Sequence, residues 1–131
     1  MPATHRLTIV TASTDTRRAA DCIDSWYQHA QQKPRTLIVE NGTPSVPYLG
    51  TVPAFRRGVD QLLEETDAEI IACLHDDFQI SEDGWDEKVL KYFDRHPAMG
   101  LAGFGGAVGL GDADIYQKDY APMQLARIGF R

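Results

Sequence analysis

The sequence predicts an α/β fold, a mainly parallel sheet with helices on both faces. Two observations carry that expectation. Short apolar, β-branched runs alternate along the chain with stretches of helical period. Turn-forming residues punctuate the boundaries between them. With 131 residues the chain suits one domain with a real core.

Leu7–Thr11 (LTIVT) reads as a buried strand. Asp15 or Thr16 can cap a helix on which Ala19, Ile23, Trp26, Tyr27 and Ala30 recur on one face. Lys33–Pro34 ends that helix. Thr36–Val39 is a second strand, and the Gly- and Pro-containing stretch Asn41–Thr51 is a loop. Pro53 suits the first position of a second helix, with Val59, Leu62 and Leu63 turned inward. Glu69–Leu74 (EIIACL) is a third buried strand. A third helix runs from about Asp83 to His96, with Trp85, Val89, Leu90 and Phe93 inward, and Pro97 stops it. Gly100–Phe104 reads as a fourth strand and Gly103–Gly111 as a glycine-rich loop. The stretch Asp112–Arg131 shows no strong period. One α/β domain over 1–131 is therefore expected.

Composition narrows the partners. The formal net charge of −6 gives no basic face for nucleic acid, and the chain is 43% hydrophobic and 24% charged, as in ordinary globular proteins. Cys22 and Cys73 lack metal-ligand spacing and read as buried thiols in a reducing compartment. Residues 1–6 lack the apolar stretch of a signal peptide, and no apolar run approaches transmembrane length. A cytoplasmic location without a membrane span is expected.

In open parallel sheets ligands bind outside the carboxyl ends of the strands. Four polar or glycine-rich segments fall there: Thr11-Ala12-Ser13, Glu40-Asn41-Gly42, His75-Asp76-Asp77 and Gly103–Gly106. Adjacent carboxylates after a buried strand repel unless a positive group lies near, and hard Mn²⁺ or Mg²⁺ ions prefer such oxygens together with phosphate. Asp76 and Asp77 are therefore either metal-site residues or two solvated aspartates in a turn. His75 is a third ligand, a ribose contact, an orienting partner or a structural histidine. Glu40 and Asn41 either meet a base or ribose or form a tight turn. Thr11, Ala12 and Ser13 offer small side chains and backbone amides to a nucleotide, or simply cap a helix. Arg56 and Arg57 open the second helix. At least one is an ordinary surface charge, and Arg57 is kept as a diphosphate partner. The GFGGAVGLG stretch permits close backbone approach to a ligand. It fits neither the dinucleotide fingerprint nor a P-loop.

The five segments LTIVTAST, LIVENG, PAFRRGVDQL, IIACLHDDF and LAGFGGAVGLG, in this order, resemble a family-two, GT-A-type glycosyltransferase. The resemblance covers nearly the whole chain, although each motif is short. It implies a Rossmann-like GT-A-type sheet that binds a nucleoside diphosphate sugar and Mn²⁺ or Mg²⁺. It also implies transfer to an acceptor hydroxyl on a glycan, protein or small molecule, with inversion. It makes Asp77 the principal metal ligand, Asp76 a ribose contact or co-ligand, and Glu40 the base contact. Two features depart from the family: the first position of the aspartate motif is His75, and no catalytic base stands out among Asp112, Asp114 and Asp119. The family's acceptor half follows the metal strand, so a fragment, a truncated chain and a half-domain completed by a partner are all open, and little transfer by this chain alone is expected. Two other readings are a non-catalytic nucleotide or nucleotide-sugar module and a flavodoxin- or receiver-like domain. Against the latter, the only lysine after the fourth strand is Lys118, in the irregular tail.

Overall fold

The computed structural model describes residues 6–103 together with the short strands at 107–108 and 124–125. The elements are β1 (Leu7–Ser13), α1 (Thr16–Gln28), β2 (Thr36–Glu40), α2 (Thr51–Glu65), β3 (Ile70–Cys73), α3 (Trp85–Arg95), β4 (Ala107–Val108) and β5 (Gln124–Leu125). Two compact units divide the chain, Met1–Leu90 and Lys91–Arg131.

The first unit holds a three-stranded sheet in the order β2-β1-β3, parallel throughout. The central strand β1 is almost wholly buried, as its unbroken apolar and threonine sequence requires. Register pairs Ile9 with Thr36 and Ser13 with Glu40 on one side, and Leu7 with Ile70 and Val10 with Cys73 on the other. Because side chains alternate along a strand, Ile9, Thr11 and Ser13 share one face with Thr36 and Glu40. The Tyr27 hydroxyl of α1 donates to Thr36 Oγ1 (2.8 Å), so α1 covers that face. Val10 and Val39 lie on the other face and pack with Ala54 and Leu62 of α2. The expected layering of helices on both faces is thus present.

Local chemistry explains the boundaries. Asp15 caps α1, its carboxylate accepting from the amides of Arg17 (3.0 Å) and Arg18 (3.4 Å). α2 starts at Thr51, two positions ahead of Pro53, which therefore sits inside the first turn. Its buried stripe is Ala54, Gly58 and Leu62, one residue every four. Leu63 lies one residue off that stripe and is 60% exposed, correcting the inward placement expected of it. α3 begins at Trp85, whose indole N–H donates to the Trp26 carbonyl (2.9 Å). Asp86, 1% exposed, accepts from the amides of Gln31 (2.8 Å) and Gln32 (2.9 Å) beyond the end of α1.

Three further expectations are corrected. Residues 100–103 form no strand, and Phe104 lies outside the described residues. The described strands after α3 are instead β4 and β5, which pair antiparallel as a two-stranded unit. β4 falls inside the stretch read as a glycine-rich loop, of which residues 104–106 and 109–111, with Asp112, Asp114, Lys118 and Asp119, lie outside the described residues. Cys22 is buried as expected, but Cys73 is exposed on β3. Among the described residues no helix is long and apolar enough to cross a membrane.

Candidate functional site

Parallel pairing brings the carboxyl ends of all three strands to one edge. From β1 the chain passes to β2 on one side, then returns across to β3 on the other. This reversal creates a topological switch point between the ends of β1 and β3, the place where such sheets hold ligands. Ser13 ends β1, Glu40 lies beside it in register, and the Leu74 amide still bonds to the Val10 carbonyl (3.0 Å) before the chain turns.

His75 to Phe78 form that turn, closed by the Phe78 amide donating to the His75 carbonyl (3.1 Å). Asp76 and Asp77 are its two corner residues. Helix α1 anchors the turn: the Trp26 indole N–H donates to the Phe78 carbonyl (2.7 Å), and the Ile80 amide donates to Ser25 Oγ (3.4 Å). The two aspartates differ sharply. Asp77 is exposed, whereas the Asp76 side chain is only 13% exposed and its Oδ2 accepts three hydrogen bonds. These come from Ser13 Oγ (2.6 Å), Arg18 Nη2 (2.8 Å) and Arg18 Nε (3.2 Å). Burial alone pushes the Asp76 carboxyl up, but the bonds from Ser13 and Arg18 and the guanidinium charge outweigh it. They hold the group below the usual carboxylate range.

Arg18 is the residue the sequence reading missed. Its hydrogen bond to Asp76 and the Asp76 charge raise its pKa further, with Asp15 and Asp77 adding. A signal was present. Arg17 and Arg18 put positive charge in the first turn of α1, which has no acidic residue there, against the preference set by the helix dipole. Burial first, and then the charges of Asp76 and Asp77, push the Cys22 thiol up, so the negative field of the turn reaches into α1.

The remaining candidates take distinct places. β1 runs to Ser13, two residues beyond its expected end, so Thr11 is fully buried within the sheet rather than at a strand tip. Its hydroxyl has no hydrogen-bond partner among the described residues. Ala12 packs on the α2-side core. The Ser13 hydroxyl, 2% exposed, shares its proton between Asp76 and the Asp15 carbonyl (2.6 Å). Glu40 is exposed at the edge. Asn41 is committed to its own loop: its Oδ1 accepts from the Leu49 amide (2.7 Å) and its Nδ2 donates to the Gly50 carbonyl (3.2 Å). That loop turns at Gly42 with φ of 82°, where a Cβ would sit 3.1 Å from Tyr48 Cδ2. Arg56 and Arg57 are exposed and fall in the second turn of α2, because the helix starts at Thr51. His75 meets the Phe55 ring edge-on (centroids 5.6 Å), on the α2 side.

For a divalent ion the turn is an incomplete donor set. Arg18 already neutralises Asp76, which leaves the exposed Asp77 and the second oxygen of Asp76. Among the described residues no three His, Cys, Asp or Glu side chains converge. A hard cation wants about six oxygens, so a phosphorylated ligand would have to complete the shell. No family model, curated protein or solved structure matches the chain.

Proposed function

We propose that this chain is the nucleotide-sugar-binding domain of a GT-A-type glycosyltransferase, acting on a nucleoside diphosphate sugar and an acceptor hydroxyl with inversion. The observation that carries the reading is the meeting of Ser13, Arg18, Glu40 and Asp76–Asp77 at the carboxyl edge, by the switch point of a parallel sheet. An edge of this kind suits an elongated ligand with a hydrogen-bonding base at one end and a charged diphosphate at the other. Glu40 is exposed and suits acceptance of hydrogen bonds from a base or ribose. Arg57 remains a candidate for the outer phosphate. Asp77 first, and Asp76 after Arg18 leaves it, would hold Mn²⁺ or Mg²⁺. When bound, that ion supplies Lewis-acid neutralisation of the diphosphate leaving group.

A thermal-shift screen of UDP, GDP, CDP and dTDP sugars, each with and without Mn²⁺, tests this reading. A ligand of the folded state raises the melting temperature by mass action. One nucleotide class is expected to do so, with Mn²⁺ enhancing the shift and Asp77→Asn removing the enhancement. No shift with any nucleotide sugar defeats the proposal. A shift that Mn²⁺ does not enhance and that Asp77→Asn leaves unchanged assigns the chain as a non-catalytic nucleotide-sugar module.

A further inference from the structure

We propose that Arg18 is a diphosphate-binding residue held in reserve on Asp76, released to the ligand when a diphosphate enters the edge of the sheet. The inference rests on the nucleotide reading above and adds a residue and an exchange to it.

The two halves of the ion pair are built differently. Asp76 is fixed: its side chain is 13% exposed, Ser13 donates to it, and α1 pins the turn that carries it. Arg18 is half-exposed, on a long side chain at the first turn of a helix. The half-exposed guanidinium can turn to another acceptor without disturbing the fold, whereas Asp76 cannot move without breaking the turn that carries it. The mobile partner is therefore Arg18.

Its position also favours an anion other than Asp76. Arg18 stands by the switch point, with the amides of the first turn of α1 nearby, where helix ends attract negative charge. Two of those amides, of Arg17 and Arg18, are occupied by Asp15, which leaves the guanidinium, bonded to Asp76 and to Thr14 Oγ1 (3.4 Å), as the strong donor that can turn to another anion. Its planar fork matches two phosphate oxygens as well as it matches a carboxylate.

The exchange has a consequence for charge. Asp76 competes with the incoming phosphate for Arg18, so the resting site discriminates against weak anions. A diphosphate, with two phosphate groups to offer, competes best. When Arg18 leaves, Asp76 Oδ2 keeps only its bond from Ser13 and the carboxylate charge is no longer neutralised, at the moment when a cation has phosphate oxygens to share.

Inorganic pyrophosphate, titrated by calorimetry in the presence of a chelator, is the probe. The variants are Arg18→Gln, Asp76→Asn, Asp77→Asn and the double Arg18→Gln/Asp76→Asn. Asp76→Asn keeps the shape but frees Arg18, and is expected to tighten pyrophosphate by about tenfold, within the usual range of coupling between sites. Arg18→Gln is expected to abolish binding, and the double variant to bind no better than Arg18→Gln. Asp77→Asn removes the same charge without touching the hydrogen bonds of Arg18, and is expected to gain clearly less than Asp76→Asn. If the gain from Asp76→Asn survives in the Arg18→Gln background, or Asp77→Asn matches it, the effect is general charge removal and the proposal is overturned. Far-ultraviolet circular dichroism of each variant establishes that the fold is retained. Pyrophosphate binding through Arg18 with no response to any nucleotide sugar would sink the nucleotide reading and leave the role of Arg18 standing.

Discussion

Asp76 and Asp86 are both acidic, and both have short hydrogen bonds that their neighbours in sequence do not supply. At Asp76 the folded chain favours the charged form. A group with its folded pKa lowered contributes stability above its unfolded value, about 3.9 for aspartate, and that contribution is lost as pH falls through the lowered folded value. Urea titrations of the wild type and Asp76→Asn between neutral pH and the acid limb are therefore expected to converge as pH drops, because the variant has no such contribution to lose. Parallel curves would show that Asp76 is energetically silent. Asp86 is nearly sealed from water and holds the amides of Gln31 and Gln32. Asp86→Ala strands both donors and is expected to destabilise the fold by about 1–3 kcal/mol, the penalty of an unsatisfied buried group. Asp86→Asn keeps one acceptor and should lose less. Equal losses for both variants, read by chemical denaturation, would contradict this account. Neither partnership is readable from sequence. Asp76 meets Arg18 across 58 positions and Asp86 meets Gln31 across 55, and a single chain can mark Arg18 as unusual in its helix but does not say which distant residue it meets.

Among the elements, the pattern of helical faces decides what packs. The alternation of strand and helix was legible from β1 to α3 because each apolar run matches its period. The fine registration was not. Val59, Leu62 and Leu63 all suit an inward face by hydropathy, and the closeness of α2 to the sheet selects among them. That closeness is set at Gly58, where an added Cβ would lie 2.2 Å from Val10 Cγ2 and 2.8 Å from Val39 Cγ2. With Gly58 against the sheet, Ala54 and Leu62 follow and Leu63 turns to water. Gly58→Ala gains about 1 kcal/mol of helix propensity. It also overpacks the contact with fully buried Val10, which typically costs about 1–3 kcal/mol. Net destabilisation is expected, relieved when Val10→Ala is added in a double-mutant cycle. Additive losses would show that the two positions are not in contact.

For the molecule as a whole, the parallel three-stranded sheet with helices on both faces was readable from the sequence, and so was the edge where Ser13, Glu40 and Asp76 meet. Two parts were not. Gly100–Phe104 carries an apolar run of strand length, yet residues 100–103 remain outside any strand, with Leu101 85% exposed. A short apolar run bounded by glycines has weak intrinsic preference, and its neighbours decide its state. The site itself was half legible. Strand-end placement located the edge, and Asn41 bonds within its own loop, the turn side of the two readings offered for it, whereas the Asp76–Arg18 pair spans 58 positions and depends on tertiary contact. The claim that a ligand enters at this edge is tested most directly by amide chemical-shift mapping with Mg²⁺ and the nucleotide sugar that gives the largest thermal shift. Perturbations confined to Ser13–Arg18, Glu40–Gly42 and His75–Phe78 are the predicted result. Perturbations centred on Arg6, Arg35 and Glu69, at the opposite edge of the same sheet, would contradict it.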